Sequence, residues 1–207
     1  MTSRDYRIPR SISQVTTEIK KSRFIAIISP AKNRKEALEV VQSLREKYPD
    51  AGHHCWAYIA GSPFQSSSTG MSDDGEPSGT AGKPILNVLS HKNIGDVVAV
   101  VVRYFGGIKL GAGGLVRAYS SAVQKAFDTL ELESVTPQVH FKLIFDFAFE
   151  NTIRHLLSQH DASILDTQYE QKIALTASCA TSLLPLLEKA IQTATKGQGR
   201  LQPLNNH

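Results

Sequence analysis

Apolar and polar positions near the N-terminus follow two different periods. Two strands are predicted within residues 12–29, from the segments SQVTTEI and FIAIIS, which polar KKSR separates. Residues 33–48 place apolar side chains at helical spacing after Asn33, a residue type that caps helices well, so they predict an amphipathic helix. HHCWAYIAG, residues 53–61, predicts a short aromatic-rich strand.

The middle of the chain predicts a loop, a helix, a strand and a second helix. Residues 61–83 are rich in Gly, Ser and Pro and predict a loop longer than a compact domain usually keeps without a use for it. A helix is expected to begin at Pro84. DVVAVVVRYF, residues 96–105, is almost continuously apolar, which is typical of a central strand covered on both faces. Residues 114–128 carry an apolar face at helical spacing.

Pro137 interrupts this pattern, and we place a domain boundary there, giving domains of residues 1–136 and 137–207. The second domain predicts the element order βαββαβ, which is that of the ferredoxin-like plait. Its expected strands and helices are 138–147, 149–159, 163–169, 171–178, 180–193 and 199–204. The sequence therefore predicts an α/β (α+β) protein, with a ferredoxin-like domain at the C-terminus.

Composition narrows the class of protein. No apolar run of the 207 residues approaches the roughly 18 that a membrane span needs. The N-terminus, MTSRDYRIPR, is polar and basic and resembles no secretory signal. Cys55 and Cys179 lie far apart without CxxC spacing, so we expect reduced thiols rather than a disulfide or a zinc site. We expect a cytoplasmic protein with no membrane partner.

The net charge of +4 is unevenly distributed along the chain. Residues 1–137 contain 17 basic and 13 acidic side chains, whereas residues 138–207 contain six of each. This asymmetry indicates either a polyanionic partner or simply a solvated basic face.

RYFGGIKLGAGGLVRAY, from Arg103 to Tyr119, places five glycines within nine residues between a buried strand and a helix. Glycines let a ligand approach the backbone, and the helix N-terminus offers free N–H groups to an anion. The spacing is neither the dinucleotide fingerprint nor the P-loop, so no nucleotide cofactor is expected. The alternative is a tight turn with close packing. The predicted phosphate or RNA site comprises Arg103, Tyr104, Gly106, Gly107, Lys109, Gly111, Gly113, Gly114 and Arg117.

An acidic loop, SDDGEPSGTAGKP, lies within residues 72–84. Asp73, Asp74 and Glu76 are the only metal candidates here, because carboxylates suit Mg²⁺ or general-base chemistry. The same side chains also suit capping of backbone N–H groups or pairing with Lys83 or Arg103. We favour the structural role, predict no metal, and expect this loop to share a surface with the glycine loop.

HHCW, residues 53–56, places His53 with Cys55 on one strand face and His54 with Trp56 on the other. One His and one Cys make at most half a zinc site, and no third group is present to orient a thiolate. A structural histidine and a buried cysteine are favoured. His54 and Trp56 are candidates for stacking on a base, and His54 is alternatively placed to fix the acidic loop. Without GxSxG or HExxH, no catalytic residue or cofactor is predicted, and we expect a protein that is not an enzyme.

Four motifs in order carry a family resemblance: KKSRFIA, HHCWAYIAG, SDDGEPSGTAGKPIL and VVVRYFGGIKLGAGGLVRAYSSAV. Together they span residues 20 to 127 and resemble the IMPACT family, in its two-domain bacterial YigZ-like branch. Residues 138–207 resemble that branch in length and element order only. The resemblance implies an N-terminal domain with the fold of a ribosomal small-subunit protein's second domain and of elongation factor G domain IV. It also implies a C-terminal domain like the ferredoxin-like domains of that factor.

The resemblance implies a characteristic family surface and assigns it no reaction. Eukaryotic relatives carry an RWD domain and regulate translation through a kinase activator, and this role is not carried over. The implied surface comprises Asp73, Asp74, Gly75, Glu76, Gly79, Thr80, Gly82, Arg103, Tyr104, Gly106, Gly107, Gly111, Gly113, Gly114, Arg117 and Tyr119.

Three functions follow as hypotheses. The first is a non-enzymatic, translation-associated protein that binds structured RNA or a ribosomal surface, with Tyr104, Phe105 or Trp56 stacking on a base. The second is a protein-interaction module of translation, using the open sheet face of residues 138–207. The third is a Mg²⁺-dependent enzyme acting on a phosphorylated small molecule at the acidic loop. The cationic footprint of the first comprises Lys20, Lys21, Arg23, Arg103, Lys109 and Arg117.

Overall fold

The computed structural model describes residues 5–64 and 68–204, and the chain divides into two compact units, with the division between Val135 and Thr136. The first contains β1 Tyr6–Pro9, β2 Ser13–Ile19, β3 Ser22–Pro30, α1 Arg34–Lys47, β4 His53–Ala60, β5 Ser68–Ser72, α2 Gly82–His91, β6 Val97–Tyr104, α3 Ala112–Asp128 and β7 Leu132–Val135. The second contains β8 Gln138–Phe145, α4 Glu150–Gln159, β9 Ser163–Tyr169, β10 Ile173–Ala180, α5 Leu184–Ala194 and β11 Arg200–Leu204. That each unit folds by itself as a domain stays a prediction.

The first unit is built on an antiparallel sheet of strand order β2-β3-β6-β4-β5. Side chains alternate across it, so Phe24 and Ile28 pack with α2 and α3 while Ile25 and Ile27 pack with α1. Strand β6 lies at the centre, and its residues from Val97 to Arg103 are all buried. The prediction of a central strand covered on both faces is therefore confirmed.

Helix α1 follows the sequence prediction closely. Asn33 accepts a hydrogen bond from the Glu36 backbone N–H at 2.9 Å, as an N-cap residue should. Helix α2 begins at Gly82, two residues before the predicted Pro84, and α3 begins at Ala112 rather than at residue 114.

The prediction of a continuous loop over residues 61–83 is wrong in part, because Ser68–Ser72 forms β5 and pairs with β4 from Ala60↔Ser68 to Trp56↔Ser72. STGMS has weak strand propensity, and its pairing depends on the neighbouring strand. A Cβ at Gly70 would lie 2.5 Å from the Tyr58 ring, so glycine allows this close approach. Strands β1 and β7 were also not predicted. Each has only four residues, and the two pair with each other although they stand at opposite ends of the first unit's sequence.

The second unit confirms the ferredoxin-like prediction. Its antiparallel sheet has the strand order β11-β8-β10-β9, which is the order that the βαββαβ plait produces. Helices α4 and α5 bury Ile153, Leu157, Leu187 and Ile191 against the sheet. Within the described ranges, no helix has the length and apolar character to cross a membrane.

Candidate functional site

Glu76 connects the acidic loop to β6 and α3. Its Oε1 accepts hydrogen bonds from Arg103 Nη1 at 2.6 Å and from the Tyr119 hydroxyl at 2.7 Å. Glu76 is 8% exposed and Arg103 only 5%, so this ion pair is shielded from water. A buried ion pair therefore joins the acidic loop to the end of β6, directly before the glycine loop.

Arg103 is a buried side chain at the junction between the acidic loop and β6. Its guanidinium carbon lies 5.4 Å from the Phe24 ring centroid and 5.7 Å from that of Phe105. Its Nη2 lies 3.5 Å from Ser22 Oγ, and its Nε is buried with no hydrogen-bond partner in the described part of the chain. Arg103 is thus placed to order the two loops, and the exposed cationic footprint has to come from other residues.

Asp73 acts as a cap for the acidic loop and for the start of α2. Its carboxylate accepts hydrogen bonds from the backbone N–H groups of Gly79, Ala81 and Gly82 at 2.8, 2.9 and 2.8 Å. Burial raises the pKa of Asp73, but these three donors together lower it more, so its pKa lies below the ordinary 3.8.

This lowered pKa predicts a pH dependence of folding. A carboxyl with a depressed folded-state pKa stabilises the protein fully above its unfolded value of 3.8, and that contribution is lost as the pH falls through the folded value. We expect urea unfolding between about pH 2 and pH 6 to show a slope that Asp73→Asn reduces. Asp50→Asn, at an exposed position, is the control and should leave the slope unchanged. Equal slopes in all three proteins would contradict this assignment.

Asp74 holds the other side of the acidic loop. Its carboxylate pairs with Arg45 Nη2 at 2.6 Å and accepts the His54 backbone N–H at 2.6 Å, while its carbonyl lies 2.8 Å from His53 Nδ1. All three acidic side chains therefore have protein partners. In residues 5–64 and 68–204, no group of three or more His, Cys, Asp or Glu is arranged to hold a metal ion. This geometry gives the Mg²⁺-enzyme hypothesis no support.

Cys55 is fully buried below the acidic loop. Its Sγ lies 2.9 Å from the Asp73 carbonyl oxygen and 3.3 Å from the Tyr119 hydroxyl. Burial raises the pKa of this thiol from 9.0 to about 12, which opposes a thiolate nucleophile.

We therefore expect Cys55 to resist thiol reagents. Three units of pKa correspond to a thiolate fraction lower by about a thousandfold, and burial hinders access further. In a Cys179→Ser protein, which leaves Cys55 as the single thiol, Ellman's reagent should react slowly until urea unfolds the chain. Equally fast reaction of the folded and unfolded protein would contradict a buried, protonated thiol.

The glycines of the glycine loop, residues 105–114, serve different purposes. A Cβ on Gly106 would lie 2.0 Å from the Lys21 carbonyl carbon, so the loop packs directly against the β2–β3 turn. The Gly106 N–H also donates to Ser22 Oγ at 3.1 Å. Gly107 and Gly111 have φ of +85° and +72°, which glycine adopts without strain. A Cβ on Gly113 would meet only the end of the Arg117 side chain, at 3.7 Å, so packing does not require glycine there.

Helix α3 opens at this loop without a side-chain cap, and the N–H groups of Ala112, Gly113 and Gly114 donate no hydrogen bond to any of the residues that the structure describes. Lys109 and Arg117 are exposed beside it. A pocket of about 360 Å³ lies next to the helix start. It is lined by Glu76, Pro77, Arg103, Phe105, Lys109, Leu110, Gly111, Ala112 and Leu115.

Three of the predicted site residues lie on the other face of the sheet. Tyr104 packs with the α1 side of the core, and the Arg23 guanidinium lies 4.2 Å from its ring centroid. His54 is only 6% exposed, and Trp56 stacks on Tyr58 at 6.0 Å. The assignment of Tyr104 to the glycine-loop site is corrected, because alternation along β6 directs its side chain to the α1 face. Alternation along β4 directs His54 and Trp56 to the same face, and the His54 backbone N–H contacts the acidic loop at Asp74.

Sequence reasoning missed the pocket walls. Pro77, Leu110 and Leu115 read as turn and helix residues, and nothing in their spacing indicates that they surround a cavity. Ser22 was also missed, because a serine within the polar stretch KKSR gives no sign that it is buried against the glycine loop.

Comparisons with known proteins identify the family of this chain. A family model described as Impact N-terminal domain matches residues 20–127, and one described as Domain of unknown function (DUF1949) matches residues 143–198. The IMPACT family member YigZ of Escherichia coli is 40% identical over 197 residues, which cover 95% of this chain and 96% of that protein.

Two further relatives give the same result over the full length. An IMPACT family member of Haemophilus influenzae is 39% identical over 202 residues, covering 95% of each chain. A solved structure titled as the crystal structure of an hypothetical protein is 36% identical, covers 100% of both chains, and superposes with a TM-score of 0.68. The chain belongs to the IMPACT family.

Proposed function

We propose that this protein is a non-enzymatic, translation-associated protein that binds structured RNA, alone or on a ribosomal surface, through the edge formed by the glycine loop and the β2–β3 turn. Membership of the IMPACT family supports a translation-related or regulatory role. The RNA-binding part of the proposal is carried by the local geometry of this edge.

The observation that best supports RNA binding is the turn at Lys20 and Lys21. Both residues have positive φ, 48° and 63°, in a two-residue turn where Asn-Gly is the favoured sequence. A left-handed backbone conformation costs a lysine roughly 1 kcal/mol. The two exposed cations therefore occupy positions where lysine is unfavourable. Strain of this kind at exposed charged residues indicates a binding function.

The same edge gathers further groups that suit a phosphate backbone. Because Gly106 packs on the Lys21 backbone, the two lysines lie beside the glycine loop that carries Lys109. The uncapped start of α3 adds free N–H groups and a partial positive charge, with Arg117 one turn further on. Phosphate contacts from such a surface bind RNA without reading its sequence.

Fluorescence anisotropy with a labelled hairpin RNA over a salt series tests the proposal. We expect binding that weakens with salt, and a Lys109→Gln/Arg117→Gln protein whose salt slope is shallower by about two, because each lost phosphate contact removes about one unit. The control, Lys32→Gln/Lys35→Gln, removes the same charge at exposed positions of the same unit, beyond the end of β3 that is opposite the β2–β3 turn, and should keep the wild-type slope. Absence of salt-dependent binding, or an equal effect of both pairs, overturns the proposal.

The turn itself gives a further prediction. Lys20→Asn/Lys21→Gly should raise the free energy of unfolding by about 1–2 kcal/mol, because both residues suit positive φ. The same change should reduce the salt slope of RNA binding by about two. Urea unfolding and anisotropy on one preparation measure both effects, and a gain in stability with unchanged RNA binding would remove the turn from the interface.

A further inference from the structure

We propose that the 360 Å³ pocket beside the glycine loop holds one unpaired nucleotide, with its base against the apolar walls and its phosphate at the start of α3. This inference rests on the proposed function, because it names the part of an RNA that this surface selects. Free nucleoside monophosphates carry the same chemistry, and the experiments below separate the two sources.

The walls of the pocket suit a flat aromatic ring. Its lining is mostly apolar, with Pro77, Leu110 and Leu115 around the cavity. Phe105 also lines it and is 58% exposed, although its ring lies near the Arg103 guanidinium. An exposed aromatic side chain next to cationic groups is the usual platform on which proteins stack an unpaired base.

The buried polar groups of the pocket favour a base over an aliphatic group. Arg103 is 5% exposed, and its Nε–H has no partner in the described ranges. Glu76 lines the same cavity and is 8% exposed. Arg103 and Glu76 give one wall of an otherwise apolar cavity a polar character, which suits the polar edge of a base better than an aliphatic group.

The opening of the pocket suits the phosphate. Gly111 and Ala112 line it at the start of α3, where the N–H groups of residues 112–114 are uncapped. Lys109 lines it as well and is exposed. Since packing does not require glycine at position 113, its missing Cβ leaves room for a ligand to approach the backbone. Arg103 and Glu76 neutralise each other, so Lys109 and the helix N-terminus leave the opening positive.

Amide NMR on the full-length protein locates the ligand. We expect AMP or UMP to shift the amides of Phe105 and Leu115 as well as those of Ala112, Gly113 and Gly114. Ribose 5-phosphate and inorganic phosphate, which lack the base, should shift only the three helix amides. The proposal is overturned if ribose 5-phosphate reproduces the complete pattern, or if no nucleotide moves these amides.

RNA binding then identifies the source of the nucleotide. A hairpin with a short single-stranded extension should bind about tenfold more tightly than its blunt counterpart, and Phe105→Leu should remove this preference. Phe147→Leu changes a similarly exposed phenylalanine in the other unit, at 52% exposure, and should keep it.

The outcomes separate this inference from the proposed function. Salt-dependent binding without preference for the extended hairpin leaves the proposed function intact and overturns an RNA nucleotide in the pocket. Nucleotide-induced shifts without any hairpin binding overturn the proposed function and support a pocket for free nucleotides.

Discussion

Replacing Glu76 by alanine is expected to reduce the free energy of unfolding by about 3–5 kcal/mol, the usual cost of removing one partner of a buried ion pair. The change leaves the Arg103 guanidinium buried without its 2.6 Å partner and also removes the acceptor of the Tyr119 hydroxyl. Because small proteins are stable by only about 5–15 kcal/mol, this loss should be evident as a large shift in the urea midpoint.

Two further proteins show whether the effect belongs to the buried pair. Glu39→Ala removes an exposed carboxylate that lies 3.9 Å from Lys35, and should change stability by less than about 1 kcal/mol. Glu76→Leu/Arg103→Met removes both charges together, so it should be more stable than the two single changes predict. If Glu76→Ala were as stable as Glu39→Ala, the ion pair would not be shielded from water.

Gly106→Ala is expected to have the second largest effect, a loss of about 3 kcal/mol or more. Its Cβ would lie 2.0 and 2.1 Å from the carbonyl carbon and oxygen of Lys21 and 2.4 Å from the Ser22 nitrogen. These are backbone atoms of a paired turn and cannot move as the end of a side chain can, so the glycine loop has to separate from the turn. Because the separated loop no longer lies beside Lys20 and Lys21, RNA binding should weaken as well.

Gly113→Ala is the matched control, with the same change seven residues further on. Its Cβ would meet only Arg117 Nη1 at 3.7 Å, and alanine in a helix is more favourable than glycine by about 0.5–1 kcal/mol. We expect thermal unfolding at a higher temperature for Gly113→Ala and at a much lower one for Gly106→Ala. Similar melting temperatures for the two proteins would contradict the close approach of loop and turn.

The elements that the sequence predicted well are those whose pattern is local and strong. Residues 97–102 are buried on both faces, as their continuous apolar run predicts. Asn33 caps α1 by a contact within three residues. β1 and β7 have no such pattern, because four-residue strands with few apolar positions form only when a distant partner supplies the pairing.

The candidate site was predicted as a set of residues but not as an arrangement. Alternation along β4 correctly placed His53 with Cys55 on one face. The same rule, applied to β6, would have separated Tyr104 from Arg103, yet both were assigned to one surface. Burial of Arg103 could not be foreseen, because an arginine at the end of a strand is normally exposed, and only the fold brings Glu76 to it.

The pairing of β1 with β7 sets an order for biosynthesis. Tyr6 pairs with Val135, and Arg23 at the start of β3 pairs with Tyr104. A nascent chain emerges from its N-terminus, so β2 and β3 form a hairpin long before the central strand is available. Until residue 104 has been synthesised, the apolar edge of β3 has no partner and is open to other chains. The sheet of the first unit can therefore be completed only late in its translation, after β6 has been synthesised.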